Sequence, residues 1–314
     1  MDGSVTPAAA DAALRGLLLE LDRQGYDFVT PTPLTHRRVV SRRERARAGD
    51  LRDIVGWSLP FEPRDAPGFL LEALEVAGML TPHEGSLKSA VRVSRLCGRL
   101  FLHSAFPTVQ EDAVFLGPDS YRFADFILRA LPPDQSGRIV DLGAGAGVGA
   151  IVAASIAPRA ELTITDINPK ALRLAEINAA HAGVTLSVLQ TNGLEGVAPG
   201  IEVVVANPPY MAASHQAYRD GGAMHGGQLS VDWAEAALTR LKPGGRMLLY
   251  TGSAMLAGGR DEIRACLEGV ADRHGSTLDY REIDPDVFGE ELESAAYADV
   301  ERIAVVTAVL RARE

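Results

Sequence analysis

The sequence predicts an α/β protein in which a doubly wound, mostly parallel sheet carries a smaller N-terminal module. From about residue 114, strand-like apolar runs alternate with helix-like segments, which is typical of βα units in a parallel sheet. One of these runs, IEVVVA at residues 201–206, is apolar and largely β-branched, as expected for a strand buried on both faces. It stops at residues 207–210 (NPPY), because two prolines cannot continue a central strand. We therefore expect an amide and an aromatic ring at the carboxyl edge of the sheet, where open α/β sheets bind ligands.

Composition excludes several classes of protein. The 314 residues are enough for one large domain or two, and the net charge of −10 argues against tight nonspecific binding of nucleic acid, although a local basic patch stays possible. Cys97 and Cys266 lie far apart in the sequence, so neither a disulfide framework nor a metal site is expected. We find no signal-peptide pattern and no apolar run near the ~18 residues that span a membrane. A cytoplasmic protein with no membrane partner is expected.

The N-terminal module, residues 1–112, is predicted to be helical and winged-helix-like. Leucines at helical spacing predict a helix over residues 7–22, and Asp50 is placed to cap a short helix over residues 50–57. A further helix is expected at residues 68–79, a turn at 81–86, and a small hairpin at 91–103. Such a module could bind substrate or mediate dimerisation, and the oligomeric state stays open.

An arginine-rich stretch interrupts this module. Residues 36–47 (HRRVVSRRERAR) hold six arginines against one glutamate. We favour a solvated helix face, because the whole chain is acidic, over a contact surface for an acidic partner or a phosphate backbone.

The second module, residues 113–314, supplies the alternating elements. Residues 115–131 are predicted to start with a Gly-Pro turn and to continue as a helix, and Asn168 is placed to cap another helix with Pro169 at its first position. The other predicted helices begin at residues 150, 230 and 261, and the predicted strands cover residues 138–143, 161–166, 184–190, 201–206, 245–251, 278–283 and 302–310. A Pro-Gly turn is expected immediately before residue 245.

A glycine loop, GAGAGVG at residues 143–149, follows the first of these strands. Gly145, Gly147 and Ala150 satisfy the loose dinucleotide form GxGxxA, so a nicotinamide-binding fold must be considered. Asp166 ends the next strand, where an acid can accept both hydroxyls of a ribose, and that feature does not discriminate between the folds. The NPPY turn does discriminate, because a nicotinamide-binding fold has no reason to carry it.

This combination resembles the class I S-adenosylmethionine-dependent methyltransferases. The matching stretches are VDLGAGAGVG at residues 140–149, TDIN at 165–168 and NPPY at 207–210. The resemblance runs from about residue 115 to the C-terminus. It implies a Rossmann-like sheet of seven strands in the order 3-2-1-4-5-7-6, with the seventh strand antiparallel, and S-adenosylmethionine as the cofactor.

The resemblance implies a set of cofactor-binding residues. Glycines of the loop would let the backbone approach the cofactor closely. Asp141 would hold the amino end of the cofactor through water or loop amides, and Asp166 would bind the ribose hydroxyls. Asn192 lies where such enzymes often place an aspartate that meets the adenine amino group, although Asn192-Gly193 is also a strong turn pair. The full predicted set is Asp141, Gly143, Gly145, Gly147, Asp166, Asn192 and Asn207.

The NPPY form resembles the branch that methylates planar amide or amino nitrogens. In that interpretation the carbonyls of Asn207 and Pro208 accept the two N–H bonds of the acceptor, and Tyr210 stacks on its planar group. The layout is similar to the release factor glutamine methyltransferases, which have an N-terminal helical domain and a glycine-containing segment placed like residues 218–230, interpreted here as a mobile lid. The chain departs from them at residues 115–123 (FLGPDSYRF), where Tyr121 and Phe123 could flank the cofactor or lie in the core.

Four functions stay open at this point. The favoured one is N-methylation of a protein or peptide glutamine, since the chain is acidic. The second is methylation of an exocyclic base amine in RNA or DNA through the N-terminal module and the arginine-rich stretch. The third is methylation of a small molecule. The fourth is a non-enzymatic regulator that senses the cofactor, which the intact NPPY turn disfavours.

Overall fold

The computed structural model describes residues 6–42, 49–212 and 220–314. Its N-terminal module contains helices and two hairpins that pack beside the large sheet. The helices are α1 (Pro7–Arg23), α2 (Pro33–Val40), α3 (Leu51–Val55) and α4 (Gly68–Val76), and the strands are β1 (Leu80–His83), β2 (Ser86–Ser89), β3 (Val91–Leu96) and β4 (Arg99–Ser104). The four leucines of α1 at helical spacing, Leu14, Leu17, Leu18 and Leu21, are all buried.

Most elements predicted for this module are present. Asp50 caps α3, with its carboxylate accepting a hydrogen bond from the Asp53 amide at 2.9 Å, and β3 and β4 form the predicted hairpin. The turn predicted at residues 81–86 is wrong in part, because β1 and β2 pair there as a second hairpin. These strands are short and largely polar, so they lack the apolar alternation that marks a strand in sequence. Of the arginine-rich stretch, residues 43–48 lie outside the described residues.

The second module alternates strands and helices as predicted. Its helices are α5 (Pro118–Ala130), α6 (Val148–Ile156), α7 (Pro169–His181), α8 (Gln228–Leu238) and α9 (Glu262–His274). Its strands are β5 (Gly137–Leu142), β6 (Ala160–Asp166), β7 (Ser187–Gln190), β8 (Ile201–Ala206), β9 (Leu241–Leu256), β10 (Arg260–Asp261), β11 (Thr277–Asp284) and β12 (Val300–Arg311). Asn168 caps α7 as predicted, accepting a hydrogen bond from the Lys170 amide at 3.0 Å.

The sheet has the predicted order. Its strands run β7-β6-β5-β8-β9-β12-β11, with β12 antiparallel to both neighbours, and β10 pairs with the end of β9. The predicted turn before residue 245 lies inside one long strand, because residues 242–245 bulge out between the pairs Ile201–Leu241 and Val203–Arg246. The bulge accommodates Pro243, which cannot donate a hydrogen bond to a neighbouring strand.

The two modules share one hydrophobic core that runs from α1 and the β3–β4 hairpin to α6 and α7. Polar contacts reinforce this boundary: Arg173 on α7 pairs with Asp11 on α1 at 2.6 Å, and Arg99 on β4 donates to the carbonyl of Ala182 at 2.7 Å. Across the described ranges, no helix combines the length and apolar character needed to cross a bilayer.

Candidate cofactor and acceptor site

The glycine loop leaves the end of β5 and is held against β6. The amides of Gly143 and Ala144 both donate to the carbonyl of Thr165, at 2.9 and 3.0 Å. Gly143, Gly145 and Gly147 all have positive φ, at 68°, 52° and 81°, which L side chains rarely adopt. The loop conformation therefore requires glycines at these positions before any ligand is considered.

The three loop glycines differ in what a side chain would meet. A Cβ on Gly143 would collide with the indole of Trp233, and one on Gly147 would lie 3.0 Å from the Cβ of Ala175. A Cβ on Gly145 would have no heavy atom within 4 Å. Gly145 thus borders open space in which a cofactor can approach the backbone. At Gly143 and Gly147, neighbouring side chains of the protein occupy the space that a side chain would need.

Asp166 fastens this loop from the end of β6. One carboxylate oxygen accepts a hydrogen bond from the Gly145 amide at 2.9 Å, and the other accepts from the Asn168 amide at 2.9 Å. Burial raises the pKa of this carboxyl, while the amides of Asn168 and Gly145 lower it. Each oxygen keeps a further acceptor site, so the carboxylate can bind ribose hydroxyls while it holds the loop.

The NPPY turn lies beside the glycine loop. Ala206 at the end of β8 pairs with Leu142 at the end of β5, so Asn207 and Gly143 are the next residues along the same sheet edge. Asn207 is partly buried, and its side-chain amide forms no hydrogen bond to any other residue that the structure describes. An acceptor and a donor are therefore available to a ligand at this position.

Comparison with known proteins agrees with this geometry. Residues 109–257 match the family model described as the Methyltransferase small domain. The chain is 28% identical over 182 residues to a release factor glutamine methyltransferase of Deinococcus radiodurans, covering 55% of this chain and 63% of that protein. The chain carries a class I S-adenosylmethionine-dependent methyltransferase domain.

Two further similarities extend the comparison. The chain is 32% identical over 125 residues to the ribosomal RNA small subunit methyltransferase C of Hahella chejuensis, covering 40% of this chain and 34% of that protein. The chain thus spans less than two thirds of the length of either relative. The fold is similar to that of wild-type Trm5b from Pyrococcus abyssi, with a TM-score of 0.51, 14% identity and coverage of 91% of this chain and 79% of that one. An identity this low shows a similarity of fold alone.

The methyltransferase domain fits its cofactor, S-adenosylmethionine, at two points. Gly145 borders open space that could receive the cofactor, and the carboxylate of Asp166, which holds the Gly145 amide, keeps acceptor sites for hydroxyls; both contacts stay predictions. We expect Asp166→Ala to weaken S-adenosylmethionine binding about tenfold or more, because it removes this acceptor and releases the Gly145 amide. Isothermal titration calorimetry measures the change; unaltered affinity would contradict the assignment.

Asp141 of the methyltransferase domain is buried beneath the loop. Its carboxylate accepts a hydrogen bond from the Ala150 amide at 2.8 Å, in the first turn of α6, where the helix dipole favours negative charge. Burial raises the pKa of Asp141 to about 7, although the Ala150 amide opposes this shift. The contacts of Asp141 within the described chain are thus with α6, and its predicted contact with the cofactor stays a prediction.

The raised pKa of Asp141 makes stability depend on pH. Folding moves this pKa from 3.8 to about 7, so between these values the folded state holds a proton that the unfolded state releases. The free energy of unfolding should therefore fall as pH rises through this window, by about 4 kcal/mol at most. Urea unfolding at pH 5 and pH 7.5 measures the upper part of this loss, about 2–3 kcal/mol. Asp141→Asn keeps an acceptor for Ala150 and should lose less stability over this interval than wild type; an equal loss would contradict the prediction.

Trp233 on α8 is a site residue that the sequence did not reveal. Its indole lies against Gly143 and near Gly193, so it spans the loops that follow β5 and β7. With Asn192, Gly193 and Glu195 it lines a cavity of about 250 Å³. Asn192 is exposed there, and its carbonyl accepts from the Glu195 amide at 3.2 Å, which forms the predicted turn. The proposed contact between Asn192 and adenine stays a prediction.

Tyr210, which was predicted to stack on the acceptor, is buried among residues of the protein. Its ring packs on Gly252 of β9, where any Cβ would collide with it, and meets the edge of Phe288 at 6.1 Å between centroids. The hydroxyl is buried without a hydrogen-bond partner among the described residues, although it lies near Asp119. Burial, followed by the Asp119 carboxylate, raises the pKa of Tyr210 well above its usual value. Tyr210 therefore stays neutral at ordinary pH and is held by packing, and its predicted stacking on the acceptor stays a prediction.

The residues at the start of α5 stand behind Tyr210. Asp119 accepts hydrogen bonds from the Tyr250 hydroxyl at 2.8 Å and from Arg122 at 3.3 Å. Phe123 is buried in the core beside Tyr250, and the hydroxyl of Tyr121 accepts from the Thr30 amide at 3.2 Å. The core interpretation of Phe123 is therefore the right one, and Tyr121 joins the N-terminal module to α5.

The glycine-containing segment after NPPY is packed in its described part. Residues 213–219 lie outside the described residues. Beyond them, the Gly221 amide donates to the carbonyl of Met211 at 2.9 Å, and a Cβ on Gly226 would collide with the backbone of Tyr210 and Met211. These glycines allow two backbone segments to pack directly against each other, and the predicted mobility of the segment stays a prediction.

Proposed function

We propose that this protein transfers a methyl group to the nitrogen of a planar side-chain amide, that of a glutamine in a protein or peptide. The observation that carries the proposal is the Asn207 side-chain amide, which has no partner among the described residues at the sheet edge beside the cofactor loop. It stands at the rigid end of a buried strand, where two prolines restrict the backbone.

Methyl transfer to an amide nitrogen depends on orientation of that nitrogen more than on a general base. An amide nitrogen is a poor nucleophile because its lone pair is delocalised. The carbonyl oxygens of Asn207 and Pro208 accept its two N–H bonds and aim the lone pair. S-adenosylmethionine supplies an electrophilic methyl group on a positively charged sulfur. Orientation of reactants alone can contribute roughly 7–11 kcal/mol, so no residue of shifted pKa has to remove a proton first, and the methylated nitrogen then loses its extra proton to water.

Charge beside the NPPY turn favours a protein acceptor. Residues 285–299, which connect β11 to β12, contain five carboxylates and no lysine or arginine. This acidic connection lies next to the turn, because Tyr297 accepts a hydrogen bond from the Ala212 amide at 2.9 Å and Phe288 contacts Tyr210. Glu290 and Glu293 are exposed and form no ion pair with another described residue. Such a border repels a phosphate backbone and suits a basic protein segment.

A second candidate is an exocyclic amine of a base in RNA or DNA. Arg37 and Arg38 on α2 and Arg42 after it are exposed, and they could contact phosphates. The similarity to a ribosomal RNA methyltransferase over 40% of this chain points the same way. The acidic connection beside the turn makes this the weaker candidate.

A partition experiment separates the candidates. Cell extract is divided into protein, RNA, DNA and small-molecule fractions, and each is incubated with the enzyme and methyl-labelled S-adenosylmethionine. We expect the label in the protein fraction and its loss with Asn207→Ala. Label confined to a nucleic acid or to the small molecules would overturn the proposed acceptor. No transfer to any fraction would overturn the proposed activity.

A further inference from the structure

A buried amide joins the N-terminal module to the cofactor loop. The side-chain oxygen of Asn178, on α7, accepts a hydrogen bond from the amide of Leu102 on β4 at 2.8 Å. Its nitrogen donates to the carbonyl of Leu102 at 3.0 Å and to the carbonyl of Ala146 at 3.0 Å. Asn178 is fully buried, and these three bonds use most of what an amide can form.

The bond to Ala146 fixes the glycine loop beside the residue that faces open space. Ala146 follows Gly145, which borders the open space that receives the cofactor. Asp166 accepts a hydrogen bond from the amide of Gly145 at 2.9 Å, and Asn178 donates one to the carbonyl of the next residue, Ala146, at 3.0 Å. The two-residue unit that meets the cofactor is therefore fixed at both ends by side chains.

We propose that Asn178 is a positioning residue for the cofactor loop, and that it couples the N-terminal module to cofactor affinity. Because the same amide binds β4 and the loop, a shift of β4 changes the restraint on Ala146. Coupling of this kind is reciprocal, so cofactor binding must also tighten the contact of β4 with Asn178. The inference rests on cofactor binding at the loop and is independent of the acceptor.

The same boundary supplies matched controls. Arg99 is on β4 as well, and it donates to the carbonyl of Ala182 after α7 at 2.7 Å, with no bond to the glycine loop. Arg173 on α7 pairs with Asp11 on α1. Substitution of either arginine weakens the contact between the modules and leaves the bond to Ala146 in place.

Calorimetric titration of S-adenosylmethionine into the full chain tests the proposal, at a temperature well below unfolding. We expect Asn178→Leu, which keeps similar volume and removes all three bonds, to weaken binding about tenfold or more. Arg99→Ala and Arg173→Ala should change the dissociation constant less than about twofold. Equal weakening in all three variants, or unchanged binding in Asn178→Leu, would overturn the positioning role.

Hydrogen exchange of the wild-type chain gives a second readout that does not depend on a variant folding. S-adenosylmethionine should slow exchange of the Leu102 amide, which is bonded to Asn178. It should leave unchanged the Arg95 amide, which is bonded to the Phe28 carbonyl at 2.8 Å within the N-terminal module. A Leu102 amide that does not respond to the cofactor would overturn the coupling.

Discussion

Asn207→Ala is expected to lower turnover at least about 100-fold and to leave S-adenosylmethionine affinity within about threefold of wild type. The side chain lost is one that forms no hydrogen bond to another described residue, so its removal leaves the fold intact. In the proposed mechanism the acceptor nitrogen loses the oxygen that orients it, while the predicted cofactor contacts at Gly145 and Asp166 stay in place. Single-turnover methyl transfer and calorimetry measure the two quantities on the same preparation.

Asn192→Ala is the matched control for this prediction, because the same side chain is shortened at the end of β7. This variant should weaken cofactor binding, and its turnover should equal that of wild type when the cofactor is saturating. If Asn207→Ala instead loses binding and turnover to the same extent, Asn207 would be a cofactor ligand and its assigned role in orienting the acceptor would be wrong.

Gly145→Val is expected to lower S-adenosylmethionine affinity about 100-fold or more with a modest loss of stability. The new side chain would enter the open space where the cofactor approaches the loop. The positive φ of 52° adds a strain of roughly 1–2 kcal/mol. Calorimetry measures the affinity, and urea unfolding measures the cost to the fold.

Two other glycines separate these effects. Gly78, after α4, also has a positive φ, and a Cβ at that position would have no heavy atom within 4 Å, so Gly78→Val carries the strain without facing the cofactor. Gly143→Val should unfold more readily than either, because its side chain collides with Trp233. Normal cofactor binding in Gly145→Val would show that the cofactor does not pass over this residue.

Local patterns were sufficient to predict the sheet and the edge where the site lies. Alternating apolar runs and helix signals place β5 to β9 correctly, and the NPPY turn falls directly after β8. The order of the strands, with β12 antiparallel between β9 and β11, followed from the family resemblance and is confirmed. The β1–β2 hairpin escaped prediction because short polar strands have no apolar alternation.

The residues that support the site could not be predicted, because their roles arise from contacts distant in sequence. Trp233 reaches Gly143 from α8, and Asn178 reaches Leu102 and Ala146 from α7. The loop glycines show the same limit: the sequence marks all three, and the packing distinguishes Gly145 from its neighbours. A pattern in sequence thus identifies a loop, whereas the contacts around the loop distinguish the roles of its residues.

The identity of the methylated atom distinguishes an amide acceptor from every other acceptor. Labelled protein from the partition experiment is digested, and the modified residue is located by tandem mass spectrometry, with the Asn207→Ala enzyme as the control. We expect a methyl group on the side-chain amide nitrogen of glutamine, present with the wild-type enzyme and absent with the variant. A methyl group on a carboxylate oxygen, a thiol or a lysine amine would contradict it.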